Sequence, residues 1–310
     1  MGGEIWVDSE EGRGSNFQFY LNLTPVSGED AANFRGEDIT DASDSPDETF
    51  DYRILVAEDD TVNQEVVSQL LKKMGCRVEI AANGSEALAL LESSTFDLVF
   101  MDVQMPVMNR LDTVRQLRQS SDYQHLSNIP VIALTAHAYE RDRKACLEAG
   151  MDSYLSKPVS FTELYTIIKK VKHGNLQGKT IGTAAKAESE NGDVVNLDAV
   201  SERLGGEKEV VLSVIRKYLE TAPHYLGKIF EAVKKNDYER VREYAHTLKS
   251  ASANIGGERA CTAAESVERA ALDKDDRPLG RAVSTLTFEV NAVLGVLPQL
   301  CADLRAPVKN

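Results

Sequence analysis

RILVAEDD, residues 53–60, is an apolar run that ends in three acidic side chains, and it decides the fold of the middle of the chain. Four similar apolar runs follow it, namely VEIAA (78–82), DLVFM (97–101), PVIALT (130–135) and SYLS (153–156). Stretches with the spacing of amphipathic helices separate these runs. Because strands that alternate with helices form parallel sheets covered by those helices, the sequence predicts an α/β domain here.

Acidic side chains directly follow two of the predicted strands. Glu58, Asp59 and Asp60 come after the first strand, and Asp102 comes after the third. The carboxyl ends of parallel strands share one edge of the sheet, where ligands bind in open α/β folds, so we expect these carboxylates to meet. Like charges that close repel each other, and a hard divalent cation relieves the repulsion. Since all the ligands are oxygens, the sequence predicts a Mg²⁺ site.

Two further strand ends supply a hydroxyl and an ammonium group. Thr135 ends the fourth strand and Lys157 follows the fifth, where Pro158 predicts a fixed cis turn that aims the lysine. Each of these residues alone is typical of a turn, a cap or a solvated surface. Together with the carboxylates they suit acyl-phosphate chemistry, in which Asp102 attacks phosphorus while Lys157 and Thr135 hold the phosphoryl oxygens.

Four segments carry a resemblance to a known family. ILVAEDD (54–60), VFMDVQMPVM (99–108), ALTA (133–136) and SYLSKP (153–158) together resemble the receiver domain of two-component response regulators. The resemblance extends over residues 52–172. It implies a doubly wound parallel sheet of five strands in the order 2-1-3-4-5.

The same resemblance implies roles for individual residues. Asp102 is the expected phosphoryl acceptor, and Lys157 is expected to contact the phosphoryl group. Thr135 and the aromatic Tyr154 are expected to switch the domain between its two states. The implied Mg²⁺ ligands are Glu58, Asp59, Asp102 and the backbone carbonyl of Gln104.

One position departs from the family pattern. After MPVM (105–108), receivers usually have Asp or Asn followed by Gly, whereas this chain has Asn109 followed by Arg110. If the backbone at Arg110 needs a positive φ, a bulky residue there costs about 1 kcal/mol or more. We therefore expect altered phosphorylation or hydrolysis rates with the fold retained. Unchanged rates in an Arg110→Gly variant would contradict this expectation.

The last third of the chain, residues 194–305, has helical apolar periodicity throughout and predicts a bundle of four or five helices. On one of these helices an apolar stripe faces the core, and His246 lies away from it with Arg242, Lys249 and the small Ser250. We therefore expect the imidazole of His246 to face solvent. The stripe consists of Val241, Tyr244, Ala245, Leu248, Ser252 and Ile255.

The segment AHTLKSASANIGG (245–257), preceded by NLDAVSERLGG (196–206), is similar to the histidine phosphotransfer domain. This resemblance implies that His246 is a passive phosphoryl carrier, and that a receiver supplies the catalytic surroundings. Arg242 and Lys249 lie one turn either side of His246. We expect these cations to stabilise a phosphoryl group on the ring and to attract the acidic edge of a receiver.

The amino-terminal segment predicts a β-hairpin. EIWV (4–7) and FQFYLNL (17–23) flank a glycine-containing turn, and the second strand alternates apolar and polar residues. Two strands alone are not stable in water. The segment is similar to the last strands of the histidine-kinase ATP-binding domain. Because the Asn and Asp motifs that bind ATP and the kinase's substrate histidine are not found, the chain is not expected to bind ATP well or to phosphorylate itself.

Two segments of low apolar content separate the predicted domains. Both are rich in small and polar residues, which bury too little surface to offset the entropy of ordering. The predicted order is a remnant of a kinase ATP-binding domain (1–26), an acidic linker (27–51), a receiver (52–172), a flexible linker (173–193) and a histidine phosphotransfer domain (194–305).

Charge and composition exclude several classes of function. Of the net charge of −14, residues 1–50 contribute −10, from twelve acidic residues and two arginines. No basic stripe suggests nucleic-acid binding, and the four cysteines lack the paired spacing of zinc or redox sites. No apolar run reaches the roughly 20 residues that cross a bilayer. We expect a cytoplasmic chain without membrane contact of its own, even if a longer parent is anchored in the inner membrane.

The predicted function is a step in a bacterial phosphorelay. A phosphoryl group would pass from an upstream histidine-kinase domain to Asp102, then to His246, then to the receiver of a downstream response regulator. This is the arrangement of the C-terminal part of hybrid sensor histidine kinases. One alternative is a non-catalytic docking scaffold with a degenerate receiver. Another is an aspartate-nucleophile phosphatase, which needs a second Asp where this chain has Gln104.

Overall fold

The computed structural model describes residues 2–10, 14–22, 48–103, 110–119, 123, 126–135, 140–174, 176, 194–274 and 276–306. The chain divides into two units, one before and one after the boundary at residues 47 and 48. In the first unit, β1 (Gly2–Glu10) pairs antiparallel with β2 (Gly14–Asn22), as the sequence predicts. Residues 27–47 of the predicted acidic linker lie outside the described residues.

The second unit begins with a five-stranded parallel sheet in the order β4-β3-β5-β6-β7, which confirms the predicted 2-1-3-4-5 topology. Strands and helices alternate along the chain because each apolar strand needs a crossover to reach its parallel neighbour. The elements are β3 (Arg53–Ala57), α1 (Thr61–Lys73), β4 (Arg77–Ala81), α2 (Gly84–Ser93), β5 (Leu98–Asp102), α3 (Arg110–Gln119), β6 (Val131–Thr135), α4 (Glu140–Glu148), β7 (Ser153–Ser156) and α5 (Phe161–Lys172).

Local sequence signals fix where the helices of this domain begin and end. Gly75 follows α1 with a φ of 87°, a left-handed conformation that an L side chain rarely adopts. Ser160 and Glu163 form the predicted capping box at the start of α5. Between these helices, the Lys157–Pro158 peptide is cis.

The expected effect of Arg110 on the backbone depends on whether this residue has a positive φ. Helix α3 begins at Arg110. Among the described residues, the non-glycine positions with positive φ are Asn236 and Lys274. Arg110 is therefore helical, so the condition for strain is not met, and the expected change in phosphorylation or hydrolysis rates stays a prediction. Residues 104–109 lie outside the described residues.

The receiver domain begins earlier than the sequence suggests. Phe50, which the sequence places in the acidic linker, is 3% exposed and belongs to the core. Its backbone N–H donates to the carbonyl of Met74 at 2.7 Å, and its ring contacts Tyr165 edge-on. Buried aromatic surface contributes directly to stability, so Phe50 is part of the receiver core.

Five helices follow, as predicted for the last third of the chain. The apolar stripe around His246 is buried apart from Tyr244, which is half-buried, because this stripe faces the other helices of the bundle. The helices are α6 (Leu197–Arg203), α7 (Lys208–Lys234), α8 (Tyr238–Asn254), α9 (Glu258–Asp273) and α10 (Asp276–Arg305).

Helix α10 is long and apolar enough, by length and composition, to cross a membrane. This finding differs from the sequence expectation that no segment qualifies. In the structure one stripe of α10 is buried in the bundle, at the three- and four-residue spacing of a packed helix. The buried residues are Leu279, Val283, Leu286, Val290, Val293 and Leu297.

The receiver and the helical bundle share one continuous hydrophobic core cluster. Helix α1 of the receiver packs against α7 and α8 of the bundle. At one end of this interface, the Lys73 ammonium donates to the carbonyl of Gly205 at 2.7 Å and lies over the ring of Phe161. At the other end, Ser213 bonds to Glu65. The two domains are therefore docked against each other through α1.

Candidate functional site

Three carboxylates meet at the carboxyl edge of the sheet. Ligand oxygens of Glu58, Asp59 and Asp102 all lie within 4.8 Å of one another. They meet because β3 and β5 are parallel neighbours, and each strand ends in acidic residues at the same edge. Glu58 is fully buried and Asp102 is 3% exposed, whereas Asp59 is more accessible. The convergence that the sequence predicts for these residues is present.

Lys157 bridges two of these carboxylates. Its ammonium nitrogen lies 2.6 Å from Oε2 of Glu58 and 3.0 Å from Oδ1 of Asp102. Burial alone would lower the pKa of Lys157, but the negative charges of Asp102 and Glu58 hold that pKa above its ordinary value. Lys157 is therefore a fixed cation directly beside the carboxylate of Asp102, the predicted phosphoryl acceptor.

Burial dominates the ionisation of the acidic edge. It raises the pKa of the Glu58 carboxyl to about 8, although Lys157 acts against this shift. It also raises the pKa of Asp60 to about 7, although the backbone N–H of Asn63 donates to that carboxylate. A divalent cation stabilises carboxylates that burial would otherwise disfavour in their charged form, and the donors are oxygens, so the residues present fit Mg²⁺.

Thr135 and Tyr154 lie on the neighbouring strands where the sequence places them. Thr135 is the last residue of β6 and is 4% exposed, and its carbonyl accepts the backbone N–H of Lys157 at 2.7 Å. Tyr154 on β7 is buried and pairs with Ala133. Gln104, whose carbonyl was expected to bind the metal, lies outside the described residues.

His246 on α8 is held by a carboxylate of the next helix. Its Nδ1 lies 2.5 Å from Oε1 of Glu268 on α9, and the histidine side chain is 22% exposed. The sequence expectation of a ring standing clear in solvent is therefore wrong in degree, because α9 covers one side of it. A carboxylate only accepts hydrogen bonds, so Nδ1 is the nitrogen that donates in this contact, and Nε2 is the nitrogen that carries the lone pair whenever the ring is neutral.

Lys249 makes a contact that the sequence did not predict. Its ammonium lies 2.5 Å from Oε2 of Glu268, so it neutralises that carboxylate in addition to lying one turn from His246. Burial alone would raise the pKa of Glu268, but hydrogen bonds and charge from His246 and Lys249 hold it below its ordinary value. Arg242 is exposed, as predicted for a cation that meets a partner.

Sequence reasoning missed Glu268. Its signal is a carboxylate that borders the apolar stripe of an amphipathic helix, one residue after the buried Val267 and one turn after the buried Ala264. Such a position favours a partnered charge, because an unpartnered one would be costly at the edge of a core. The partner itself could not be read from the sequence, since it lies 22 residues away on another helix.

Comparison with known proteins agrees with this geometry. Residues 54–169 match the family model of the response regulator receiver domain, and residues 213–306 match that of the Hpt domain. The aerobic respiration control sensor protein ArcB of Escherichia coli K12 is 30% identical over 83% of this chain and 32% of its own length. The sensor histidine kinase GacS of Pseudomonas protegens is 30% identical over 77% of this chain and 28% of its own length.

A solved structure is similar to the first of these domains. It is the receiver domain of a sensor histidine kinase from Pseudomonas aeruginosa PAO1, with a magnesium ion coordinated in its active-site cleft. That domain is 36% identical, with a TM-score of 0.36, and the match covers 39% of this chain and 97% of the other.

The fold, the acidic edge and the two family matches define a phosphorelay signal-transduction protein made of a receiver domain and a histidine phosphotransfer domain. The chain contains a receiver domain and an Hpt domain, and it is similar to the region of sensor histidine kinases that carries these two domains. It spans about a third of the length of the first curated relatives that it matches.

Proposed function

We propose that this chain carries a phosphoryl group from Asp102 of the receiver to His246 of the phosphotransfer domain. The observation that carries the proposal is the convergence of Glu58, Asp59 and Asp102 beside the Lys157 ammonium. The packing of α1 against α8, the helix that bears the histidine, supports it. A carboxylate, a fixed cation and an imidazole are the groups that a two-step phosphoryl transfer needs.

The first step forms an acyl phosphate. An oxygen of Asp102 attacks the phosphorus of a phosphohistidine on an upstream kinase domain, the P–N bond breaks and the kinase imidazole leaves with its electron pair. Lys157, whose ammonium lies 3.0 Å from Asp102, is proposed to bind the equatorial phosphoryl oxygens as charge develops on them. The Thr135 hydroxyl is assigned to the same oxygens, from the end of β6.

The second step returns the phosphoryl group to nitrogen. The Nε2 lone pair of His246 attacks the phosphorus, the P–O bond to Asp102 breaks and the carboxylate is restored. The proton on Nδ1 stays in its hydrogen bond with Glu268, so no proton leaves the ring during the transfer. The positive charge that develops on the imidazole is stabilised by the Glu268 carboxylate.

Glu58, Asp59 and Asp102 would hold Mg²⁺, together with the backbone carbonyl of Gln104. The cation supplies charge neutralisation for the phosphoryl oxygens when it is bound. In this proposal, Glu58 is kept oriented by Lys157 on one oxygen and by Asn63 on the other. Asp59 is the most accessible of the three carboxylates.

The proposed partners follow from the two steps. An upstream histidine-kinase domain supplies the phosphoryl group, and the receiver of a downstream response regulator takes it from His246. Tyr154 is proposed as the aromatic switch and Arg242 as an exposed contact for the downstream receiver. We propose that the chain works in the cytoplasm. The hairpin β1–β2 is proposed as the end of a kinase ATP-binding domain, so autokinase activity belongs to a longer parent.

Incubation of the full chain with acetyl phosphate and Mg²⁺ tests this function. The expected result is a hydroxylamine-sensitive acyl phosphate at Asp102, followed by an acid-labile, alkali-stable phosphate at His246. Mass spectrometry at neutral pH assigns both sites. Chelation of Mg²⁺ is expected to abolish both signals, because the phosphoryl oxygens then lose their main counter-charge.

Two variants serve as controls. His246→Gln should retain the acyl phosphate and lose the second signal, whereas Asp102→Asn should lose both. Labelling of His246 in the Asp102→Asn chain, or no labelling of Asp102 in the unaltered chain, would exclude the proposed order of transfer. Mg²⁺ binding without any phosphorylation would favour the docking scaffold instead.

A further inference from the structure

An uninterrupted chain of hydrogen bonds joins the acidic edge of the receiver to the phosphotransfer domain. Oε1 of Glu58 accepts from Nδ2 of Asn63 at 2.9 Å. Oδ1 of Asn63 accepts from Nδ2 of Asn254 at 2.5 Å. Oδ1 of Asn254 accepts from Nη1 of Arg203 at 3.2 Å. Asn63 lies in the first turn of α1, and Asn254 is the last residue of α8, the helix that carries His246.

The residues at the two ends of this hydrogen-bond chain, Glu58 and Arg203, fix the direction of every hydrogen bond in it. A carboxylate only accepts and a guanidinium only donates, so Glu58 requires the amino group of Asn63 and Arg203 requires the carbonyl oxygen of Asn254. The remaining oxygen of Asn63 then faces the remaining amino group of Asn254, which is the one pairing that forms a hydrogen bond. Each amide is therefore oriented by a charged residue of its own domain, and the two amides meet across the interface with donor facing acceptor.

The hydrogen-bond chain is buried along most of its length. Glu58 is fully buried, Asn63 is 5% exposed and Asn254 is 2% exposed. Arg203 also donates to the backbone carbonyl of Asn254 at 2.6 Å, which holds the end of α8 in place. A buried amide that loses its partner pays the full cost of desolvation, so a network of this kind is strongly dependent on the docking of the two domains.

We propose that Asn63 and Asn254 are positioning residues that couple the docking of the phosphotransfer domain to the metal-binding state of Glu58. This inference rests on the proposed Mg²⁺ site and adds a regulatory connection to it. When the domains are docked, Asn254 donates to the oxygen of Asn63, so the amino group of Asn63 is held on Glu58. The carboxylate is then oriented before Mg²⁺ arrives, which raises its affinity for the cation.

The coupling acts in both directions. If docking strengthens Mg²⁺ binding, then Mg²⁺ must strengthen docking by the same factor, because the two equilibria form one thermodynamic cycle. Binding of Mg²⁺ to the receiver therefore strengthens the contact between the receiver and the end of α8. His246 lies eight residues before Asn254, or about 12 Å along the same helix, so the contact sets the position of the helix that presents the imidazole.

Titration of the full chain with MgCl₂ in a calorimeter, in the absence of any phosphoryl donor, tests this inference. Asn254→Ala is expected to weaken Mg²⁺ binding about fivefold, at the lower end of typical coupling between sites, although residue 254 lies in the other domain. Asn254→Leu, which retains more side-chain volume and lacks both hydrogen bonds, should have the same effect. Asn63→Ala should weaken binding, and adding Asn254→Ala to it should cause no further loss.

Ser213→Ala is the matched control, because Ser213 bonds to Glu65 across the same interface and takes no part in the chain from Arg203 to Glu58. It should leave the Mg²⁺ affinity within twofold of the unaltered chain. Amide hydrogen exchange of α1 and α8 gives a second readout. Mg²⁺ should slow exchange at the end of α8 in the unaltered chain and have a smaller effect in Asn254→Leu.

The inference is overturned if Asn254→Leu binds Mg²⁺ as the unaltered chain does, if Ser213→Ala loses as much affinity, or if the unaltered chain binds no Mg²⁺. It is also overturned if the losses from the two asparagine variants simply add. The outcome is separate from that of the proposed function, since phosphorylation takes no part in the titration. A chain that binds Mg²⁺ with this coupling but never transfers phosphate would disprove the relay and leave the coupling intact.

Discussion

Glu268 sets the chemistry of His246 at the scale of single residues. Because its Oε1 accepts from Nδ1, the imidazole presents Nε2 to an incoming phosphoryl group. Glu268→Ala should slow transfer from Asp102 to His246 about tenfold, equivalent to roughly 1.4 kcal/mol of transition-state stabilisation. Glu268→Gln should be milder, because its carbonyl still accepts from Nδ1 while its charge is lost. Rapid-quench measurement of the transfer rate, with ¹⁵N NMR of the His246 tautomer, checks both effects.

Glu265→Ala is the control for this prediction, since Glu265 lies on the same helix and is exposed. It should leave the rate and the tautomer unchanged. Equal rates in Glu268→Ala and the unaltered chain would show that the carboxylate does not position the ring. A slower rate without any change of tautomer would assign Glu268 to the folding of the bundle.

At the scale of elements, the turn between α6 and α7 anchors the helical domain on the receiver. Gly205 and Gly206 share a φ of 77°, but a Cβ on Gly205 would lie 3.1 Å from both Phe161 and Lys73, whereas one on Gly206 would meet nothing within 4 Å. Both alanine variants should lose about 1 kcal/mol or more from the left-handed backbone. Gly205→Ala should lose more, because it also presses on the receiver.

Urea denaturation monitored by circular dichroism measures this difference between the two variants. The additional loss in Gly205→Ala should disappear when Phe161 is replaced by Ala, because the added methyl group then has space. Equal stability of Gly205→Ala and Gly206→Ala would mean that the turn does not bear on the receiver. In that case, Lys73 alone would anchor this end of α1 through its bond to the Gly205 carbonyl.

At the scale of the whole molecule, the packing of the two domains predicts that transfer from Asp102 to His246 is intramolecular. The rate of transfer from Asp102 to His246 should not change with protein concentration in the unaltered chain, because both domains belong to one compact unit. A mixture of His246→Gln and Asp102→Asn chains can transfer only between molecules. Its rate should rise in proportion to concentration and stay below the intramolecular rate at micromolar protein.

Kinetics over a hundredfold range of protein concentration distinguish these regimes. The same acetyl phosphate donor and Mg²⁺ concentration are used throughout, so phosphorylation of Asp102 is common to all samples. A mixture that transfers as fast as the unaltered chain at low concentration would show that transfer between molecules is preferred. The contact of α1 with α7 and α8 would then serve a resting state.

The sequence by itself determined the elements, their order and the chemical character of the receiver site. Apolar periodicity predicted the sheet and the helices, and the position of acidic residues after β3 and β5 predicted that Glu58, Asp59 and Asp102 would meet. These predictions succeed because parallel strands deliver their carboxyl ends to one edge by topology alone. The capping box at Ser160 is predictable for a related reason, since both partners are local.

Only the tertiary structure decided which distant side chains are partners. Glu268 beside His246, and Asn254 beside Asn63, join residues on separate helices, and no periodicity relates their positions along the chain. The burial of Phe50 likewise depends on the receiver surface against which it packs. Long-range contacts of this kind are set by the angles at which helices cross and domains dock, and those angles arise from side-chain packing across the whole interface.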